Sequence, residues 1–478
     1  MTTSVSIELN YDLAAWDLHP PLAAGLRRAQ RQGRPVLVSA VRPLPPSDPL
    51  TFFARDSAKM RDRLFWTSPT DGLAMAGIGA VGTIETAGAR RFAAANTAWR
   101  DYCADALIDA APGVAGTGPV LIGGFAFDPQ RPTTPLWGAY PAGRLVLPRY
   151  LYTQVEDTYW LTINTILHPD STLAAEIQSI ACELPVLERT NGVSSQLALP
   201  NQALVVEDAL PAQEWMAVVR SLVQQLQHGN LEKIVLAREC YVSGVQPFNP
   251  ATVLEQLRAD YPGCFHFAVA RGDQCFLGAS PERLVRLREG AVWATSLAGS
   301  IQRGATEDED RRLGAALLAS AKDREEHAIV VRALASALAD LCVDLAVPDT
   351  PTLMKVRNVQ HLFTPISGRV AGTRSILEFI ERLHPTPAVG GTPRDVALRL
   401  IREREKMDRG WYAGPIGWLD ARGEGEFAVA IRSALLGGAT AALFAGCGIV
   451  ADSDPASEYA ESQLKLRPLL AALGRSIQ

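Results

Sequence analysis

Apolar residues along this chain recur in two rhythms, and the change between them marks how it is organised. Through residue 200 they come in short runs broken by Gly, Pro and Ala, as in Val120-Leu121-Ile122 followed by Gly123-Gly124-Phe125-Ala126-Phe127-Asp128-Pro129. Alternation with this turn punctuation predicts strands and hairpins. A polar, proline-containing stretch from Asn191 to Gln202 is the predicted boundary, dividing an N-terminal α+β portion, residues 1–200, from residues 205–478. Beyond it, Pro211 to Gln227 has the spacing of an amphipathic helix and Ile234 to Cys240 that of a strand. Phe265 to Ala270, Gln274 to Gly278 and Glu282 to Arg288 read as strands separated by Gly and Pro. Asp310 to Leu341, rich in Ala, Leu, Arg and Glu, predicts one long helix or two joined ones. Phe427 to Leu436 and Ala441 to Ala445 alternate as strands do. Hairpins and helices mixed in this order predict an α+β layered fold rather than a parallel doubly wound one.

At 478 residues and 47% hydrophobic composition the chain can bury a large core. Its formal charge of -5 argues against a nucleic-acid or anionic-membrane surface, since those partners select a basic face. Any anionic ligand must therefore be met locally. Seven cysteines without a C-x-x-C pair fit reduced thiols, and the N-terminus lacks the basic and apolar regions of a signal peptide. With no long uncharged apolar run, the expectation is a cytoplasmic protein with no membrane partner. Neither a G-x-G-x-x-G nor a Walker loop supports nucleotide binding.

Two acidic pairs change the picture. Asp323 and Glu326, three apart on a predicted helix, project from one face, and Glu458 and Glu461 repeat the spacing on the final helix. Ser453-Asp454-Pro455 precedes the second pair like an N-cap and first-turn proline, and Lys465 follows Glu461 by four. One such pair is ordinarily solvated surface. Here the pairs accompany a Gly446-Cys447-Gly448 turn and a strand, Ala430-Ile431-Arg432-Ser433, on which Arg432 faces opposite to Ile431. Glycine turns, an arginine and paired glutamates together suit a small anion held with a metal ion.

The flanks carry a resemblance. Lys322-Asp323-Arg324-Glu325-Glu326-His327 and Glu458-Tyr459-Ala460-Glu461 are similar to the two magnesium-binding segments of the chorismate-using enzymes. Leu231 to Arg238 resembles that family's K-[IV]-V-L-[AS]-R motif, and Phe276 to Arg283 its G-A-S-P-E segment. Ala298 stands where aminodeoxychorismate synthases carry a nucleophilic lysine, and Ala388 where anthranilate and salicylate synthases tend to have threonine. The chain thus resembles the isochorismate synthases, and Gly123 to Pro129 resembles the longer ones linked to menaquinone.

The resemblance implies two layered antiparallel sheets with helices packed outside, the N-terminal portion contributing to the same fold. It implies chorismate as substrate, Mg²⁺ as cofactor, no organic cofactor and no obligatory glutaminase partner. Lys233 would activate water for attack at C2 and Glu282 would protonate the departing C4 hydroxyl. Glu326 and Glu461 would bind the metal, supported by Asp323 and Glu458. Arg432 would grip the enolpyruvyl carboxylate, with Ala298, Gly299, Ser300, His361, Ala388, Val389, Tyr412, Gly446, Gly448 and Lys465 as the other substrate contacts. A lysine base requires Lys233 to be enclosed, and a general acid requires surroundings that keep Glu282 protonated. The product would feed menaquinone or siderophore biosynthesis. A salicylate synthase and a non-catalytic chorismate or metal sensor are the competing readings.

Overall fold

Two sheet layers share one pair of long strands. In the computed structural model, which describes residues 16–55, 60–130, 132–188, 203–229, 231–357 and 359–474, Leu73–Thr86 runs antiparallel to Gly143–Val155 along its whole length. The register shifts between Ala80 and Gly82, beside Gly79 at φ 69, and a bulge of this kind bends a strand. On one side of the bend the pair continues through Asp62–Thr67, Phe265–Arg271, Gln274–Ser280, Ser433–Gly437 and Thr440–Ile449 to Lys233–Ser243. On the other it continues through Val120–Phe125, Pro415–Asp420, Gly425–Val429, Arg283–Arg288 and Ala291–Gln302 to Val359–Val370. Each layer thus contains strands from both portions of the sequence. The predicted boundary from Asn191 to Gln202, and Asn358, lie outside the described residues.

Strand alternation sorts the apolar residues. Leu64 and Trp66 face the core between the layers with Phe267, Phe276 and Leu145, whereas the intervening Phe65 packs outward with Leu254, Leu257 and Leu469. Those outer residues belong to helices Pro250–Asp260 and Pro455–Ala472, whose starts are set by sequence. Asn249 and Asp454 cap them with side-chain oxygens, each followed by a proline at the first helical position. No described helix is long and apolar enough to cross a membrane.

The stretch Asp310 to Leu341 takes the second of its two expected forms, two joined helices, Glu307–Ala319 and Ala321–Ala339, because Ser320 turns to ψ 114 and its hydroxyl accepts the Asp323 N–H at 3.2 Å. Two local readings are corrected. Phe427 to Leu436 is not one strand. It breaks between Gly425–Val429 and Ser433–Gly437, and Arg432 in the break has φ 51. Gly446-Cys447-Gly448 is no turn either; it lies within Thr440–Ile449, where pairing with Lys233–Ser243 keeps it extended.

The segment leading to the site is tightly seated. Gly410 has φ 48, and a Cβ added there would lie 2.0 Å from the Trp137 ring, which is itself fixed by an indole bond of 2.9 Å to the Asp408 carbonyl. Gly410→Ala is expected to cost at least about 2 kcal/mol through overpacking and backbone strain, read as a lower urea midpoint; an unchanged midpoint would show that Trp137 yields freely.

Candidate active site

Between the layers lies a cavity of about 120 Å³, and every residue singled out in the sequence lines it. Lys233 opens its strand and is 1% exposed. Its Nζ lies 2.7 Å from Glu326 Oε1, reached from helix Ala321–Ala339. The neighbouring strand allows this. A Cβ on Gly448 would stand 2.7 Å from Glu326 Oε1 and 2.9 Å from Lys233 Cε, so the glycine's contribution is the room it leaves.

On the opposite layer a bulge does comparable work. The register slips between Ala298 and Ser300, and the extra residue, Gly299, has φ 75. An alternating strand would turn only every second side chain inward. The bulge instead brings Ala298, Gly299 and Ser300 all to the cavity wall. The Ser300 hydroxyl meets His361 Nδ1 at 2.7 Å, while His361 Nε2 is buried without a partner. Burial, aided by the charges of Arg432 and Lys465, pushes this imidazole down to about 3, so it is neutral at physiological pH.

Glu282 follows a locked turn. Its N–H donates to Ser280 Oγ at 3.2 Å, that hydroxyl donates to the Val429 carbonyl at 2.6 Å, and the Val429 N–H returns to the Glu282 carbonyl at 3.0 Å. The Glu282 side chain is buried, and burial pushes its carboxyl up to about 8 against the opposing pull of Lys233 and Lys465. It therefore holds its proton near neutrality.

Arg432 is placed differently from the sequence reading. With the strand broken and φ positive, Ile431 and Arg432 both line the cavity instead of facing opposite ways. Among the described residues Arg432 makes no ion pair, which leaves its guanidinium for an anion. Ala413, at φ 59, is a second non-glycine residue held left-handed at this wall. Such conformations persist only where surrounding structure enforces them. Tyr412 stacks on Phe444 with ring centroids 5.3 Å apart, and burial pushes its hydroxyl up to about 12.

The four acids each have a local partner. Besides the Glu326–Lys233 pair, Glu461 pairs with Lys465 at 2.6 Å, and Lys465 also donates to the Gly446 carbonyl at 2.8 Å. Glu458 accepts from Ser453 at 2.7 Å and lies 4.0 Å from Lys322, while Asp323 accepts from the Ser320 hydroxyl. The expected four-carboxylate set is consequently not one cluster. Oxygens of Glu458 and Glu461 lie within 4.8 Å of each other and of Cys447 Sγ, while Glu326 is paired with Lys233. These residues nevertheless fit a hard cation. Burial and the charge of Glu461 push Glu458 up to about 7, a like-charge crowding that a cation between them relieves. Cys447 donates to the Glu458 carbonyl and burial pushes its thiol up, so the oxygens are the available donors.

Sequence reasoning missed Lys322 and Arg409 on the same wall. Lys322 lies inside a quoted motif and could have been named. Arg409 could not, because two of its partners are distant backbone carbonyls: Nη1 donates to that of Val389 at 2.8 Å and Nη2 to that of Val235 at 2.9 Å.

An interlayer cavity holding a protonated acid, a buried lysine and paired carboxylates beside Arg432 and Lys465 defines a site for a small anion. The chain belongs to the chorismate-binding enzymes: the family described as "Chorismate binding enzyme" matches residues 24–474. It is 38% identical to isochorismate synthase MenF of Bacillus subtilis over 94% of this chain and 96% of that protein. It is 41% identical to the salicylate biosynthesis isochorismate synthase of Pseudomonas aeruginosa over 94% and 93% of the two chains. Among solved structures it resembles MenF, the menaquinone-specific isochorismate synthase from Escherichia coli, with a TM-score of 0.77 and 27% identity over 95% of this chain and all of that one.

The protonated state of Glu282 has a pH signature. A carboxyl raised above its unfolded value is protonated in both states at low pH; as pH rises, the unfolded chain releases its proton first, so wild-type stability is progressively lost up to the folded value. Glu282→Gln is therefore expected to gain on wild type by on the order of a few kcal/mol between about pH 5 and pH 8, measured by urea unfolding at both. A difference independent of pH would show that Glu282 is ionised in the fold.

Proposed function

We propose that the protein is an isochorismate synthase, adding water to C2 of chorismate as the C4 hydroxyl departs, with no change of redox state. The observation that carries this reading is Glu282, a buried carboxyl held in its acid form in the cavity that also encloses Lys233. Displacement at one ring position with loss from another needs an acid and a base at once. Lys233, acting as the free amine, takes a proton from the attacking water to become the ammonium beside Glu326, and Glu282 gives its proton to the leaving hydroxyl, which departs as water. Lys233 ends as the ammonium and Glu282 as the carboxylate, and proton transfer with solvent returns both to their starting forms.

Arg432 supplies a planar, unpaired guanidinium for the enolpyruvyl carboxylate. His361, neutral and with Nε2 unpartnered, offers a hydrogen bond without adding charge near the ring. Ala298 leaves no lysine to attack the ring, and the reaction needs no ammonia, hence no obligatory glutaminase partner. Mg²⁺ would be held by Glu461 and Glu458, with Glu326 and Asp323 on the facing helix; when bound, it supplies positive charge for the ring carboxylate. We place the product in menaquinone or siderophore biosynthesis, and the similarity to the menaquinone-specific Escherichia coli enzyme supports the first route.

Purified protein given chorismate and Mg²⁺ is expected to yield isochorismate alone by mass-resolved chromatography, with or without ammonium, and nothing with EDTA. Salicylate with pyruvate, or anthranilate with ammonium, would assign a sister activity, and no product would favour a sensor. Lys233→Ala and Glu282→Gln should each lower kcat/KM by about 10²–10⁴ with the circular dichroism spectrum intact; near-normal turnover in either overturns the assignment.

Magnesium is expected to raise the melting temperature of wild type through binding to the native state, and to do so far less in Glu461→Gln. Equal shifts in both proteins would move the metal elsewhere.

A further inference from the structure

The strand that carries Lys233 has an open edge. Gly391–Thr392 pairs with Lys233 and Ile234, and Val205–Asp208 with residues 240–243; the Val235 N–H also donates to the Gly390 carbonyl at 2.8 Å and the Glu239 carbonyl accepts from the Ala209 N–H at 3.1 Å, so among the described residues positions 236–238 have no strand neighbour on that side. Side chains close much of the gap. The Ala237 N–H donates to Glu405 Oε1 at 2.7 Å, and the Val235 carbonyl accepts from Arg409 Nη2 at 2.9 Å. Glu405 and Arg409 are joined through Arg409 Nε and Glu405 Oε2 at 2.8 Å, and both side chains are almost fully buried. The third prong of the guanidinium, Nη1, holds the Val389 carbonyl at 2.8 Å. Beneath it the Phe127 ring lies 4.1 Å from the guanidinium carbon.

One planar cation thus ties together, beside the backbone bond from Val235 to Gly390, the side-chain and carbonyl groups of two cavity walls. Val235 lies two residues after Lys233 on its strand, and Val389 follows Ala388, the position at which sister activities differ. We infer that Arg409 and Glu405 form a positioning pair that sets the Lys233 strand against the Ala388–Val389 wall, governing the chemical step more than substrate capture. The inference deepens the isochorismate synthase reading and rests on it. Only a rigid fork reaches three acceptors in fixed directions; a lysine at 409 keeps the charge and loses the fork. Displacement of a reacting group by about 1 Å costs about a hundredfold in rate, while the anion grip of Arg432 and Lys465 is untouched by such a change.

The test is steady-state kinetics on Arg409→Lys and Glu405→Gln with chorismate, with folded fraction checked by urea unfolding. Both variants are expected to lose about a hundredfold in kcat while KM moves by less than about threefold. A rise in KM with kcat retained, or full activity in Arg409→Lys, overturns the inference. Should neither variant accumulate folded, Phe127→Leu removes only the ring beneath the guanidinium, and about a threefold loss confined to kcat is expected; an unchanged kcat there overturns it too. Wild type that makes no isochorismate would instead fail the functional reading itself.

Discussion

The register of Lys233–Ser243 against Thr440–Ile449 is the constraint on which the site depends. Val235 stands opposite Gly448 and Ile234 opposite Ile449. This places the one residue type without a side chain where Lys233 and Glu326 must meet. A slip of one residue would bring Cys447 or Ile449 into that position and would turn every buried side chain of the strand to the wrong face. The apolar alternation of both strands forbids the slip, so core packing, not any polar contact, specifies where the base sits. Hydrophobic patterning and catalytic geometry are here consequences of the same register.

Within the cavity, removal from water sorts the ionisable groups by whether they have partners. Glu282 and His361 lack a tightly bound opposite charge, and burial drives both to their neutral forms. Glu461 and Lys465 have each other at 2.6 Å; burial alone would neutralise them, yet their mutual attraction keeps the carboxyl below its usual range and the ammonium above it. Glu458 falls between, pushed upward by burial and by its neighbour. One enclosed volume therefore carries a proton donor, a neutral hydrogen-bonding ring and lasting charges.

Much of this was legible in the sequence, for an identifiable reason. The motif residues recur because each faces one small volume, so segments far apart in the chain converge on a single cavity. Elements with strong local signals, such as the capped final helix and the strand opened by Lys233, were legible as well. What was not legible depends on distant backbone. The left-handed turn at Arg432 interrupts an alternation that reads as one strand, and nothing local announces it. Gly446 and Gly448 have the composition of a turn, but pairing with a strand two hundred residues earlier holds them extended. Arg409 was invisible because the contacts that place it at the site are to the Val389 and Val235 carbonyls, which any residue supplies and no sequence pattern marks, while its i,i+4 pairing with Glu405 reads as ordinary helix surface.

The N-terminal portion acquires its role from the same remote contacts. Asp128 pairs with Arg402, the Trp137 indole donates to the Asp408 carbonyl, Thr134 donates to the Asp408 carboxylate at 3.0 Å, and the Trp411 indole donates to the Pro141 carbonyl at 2.8 Å. His384 Nε2 lies 3.0 Å from the Phe127 carbonyl. All five contacts fall on residues 384–411, the stretch that carries Ala388, Val389 and Arg409 and leads into Tyr412. That stretch is largely loop around one helix, Arg394–Arg404, and loops hold a fixed shape only when their backbone polar groups are satisfied from outside. The first portion supplies part of that satisfaction, through the Trp137 indole on the Asp408 carbonyl and the Phe127 N–H on the Gly410 carbonyl at 2.7 Å, and anchors side chains of the stretch through the other contacts. Among the described residues it contributes no side chain to the cavity lining, and its effect on the chemistry runs through the rigidity of the wall it braces.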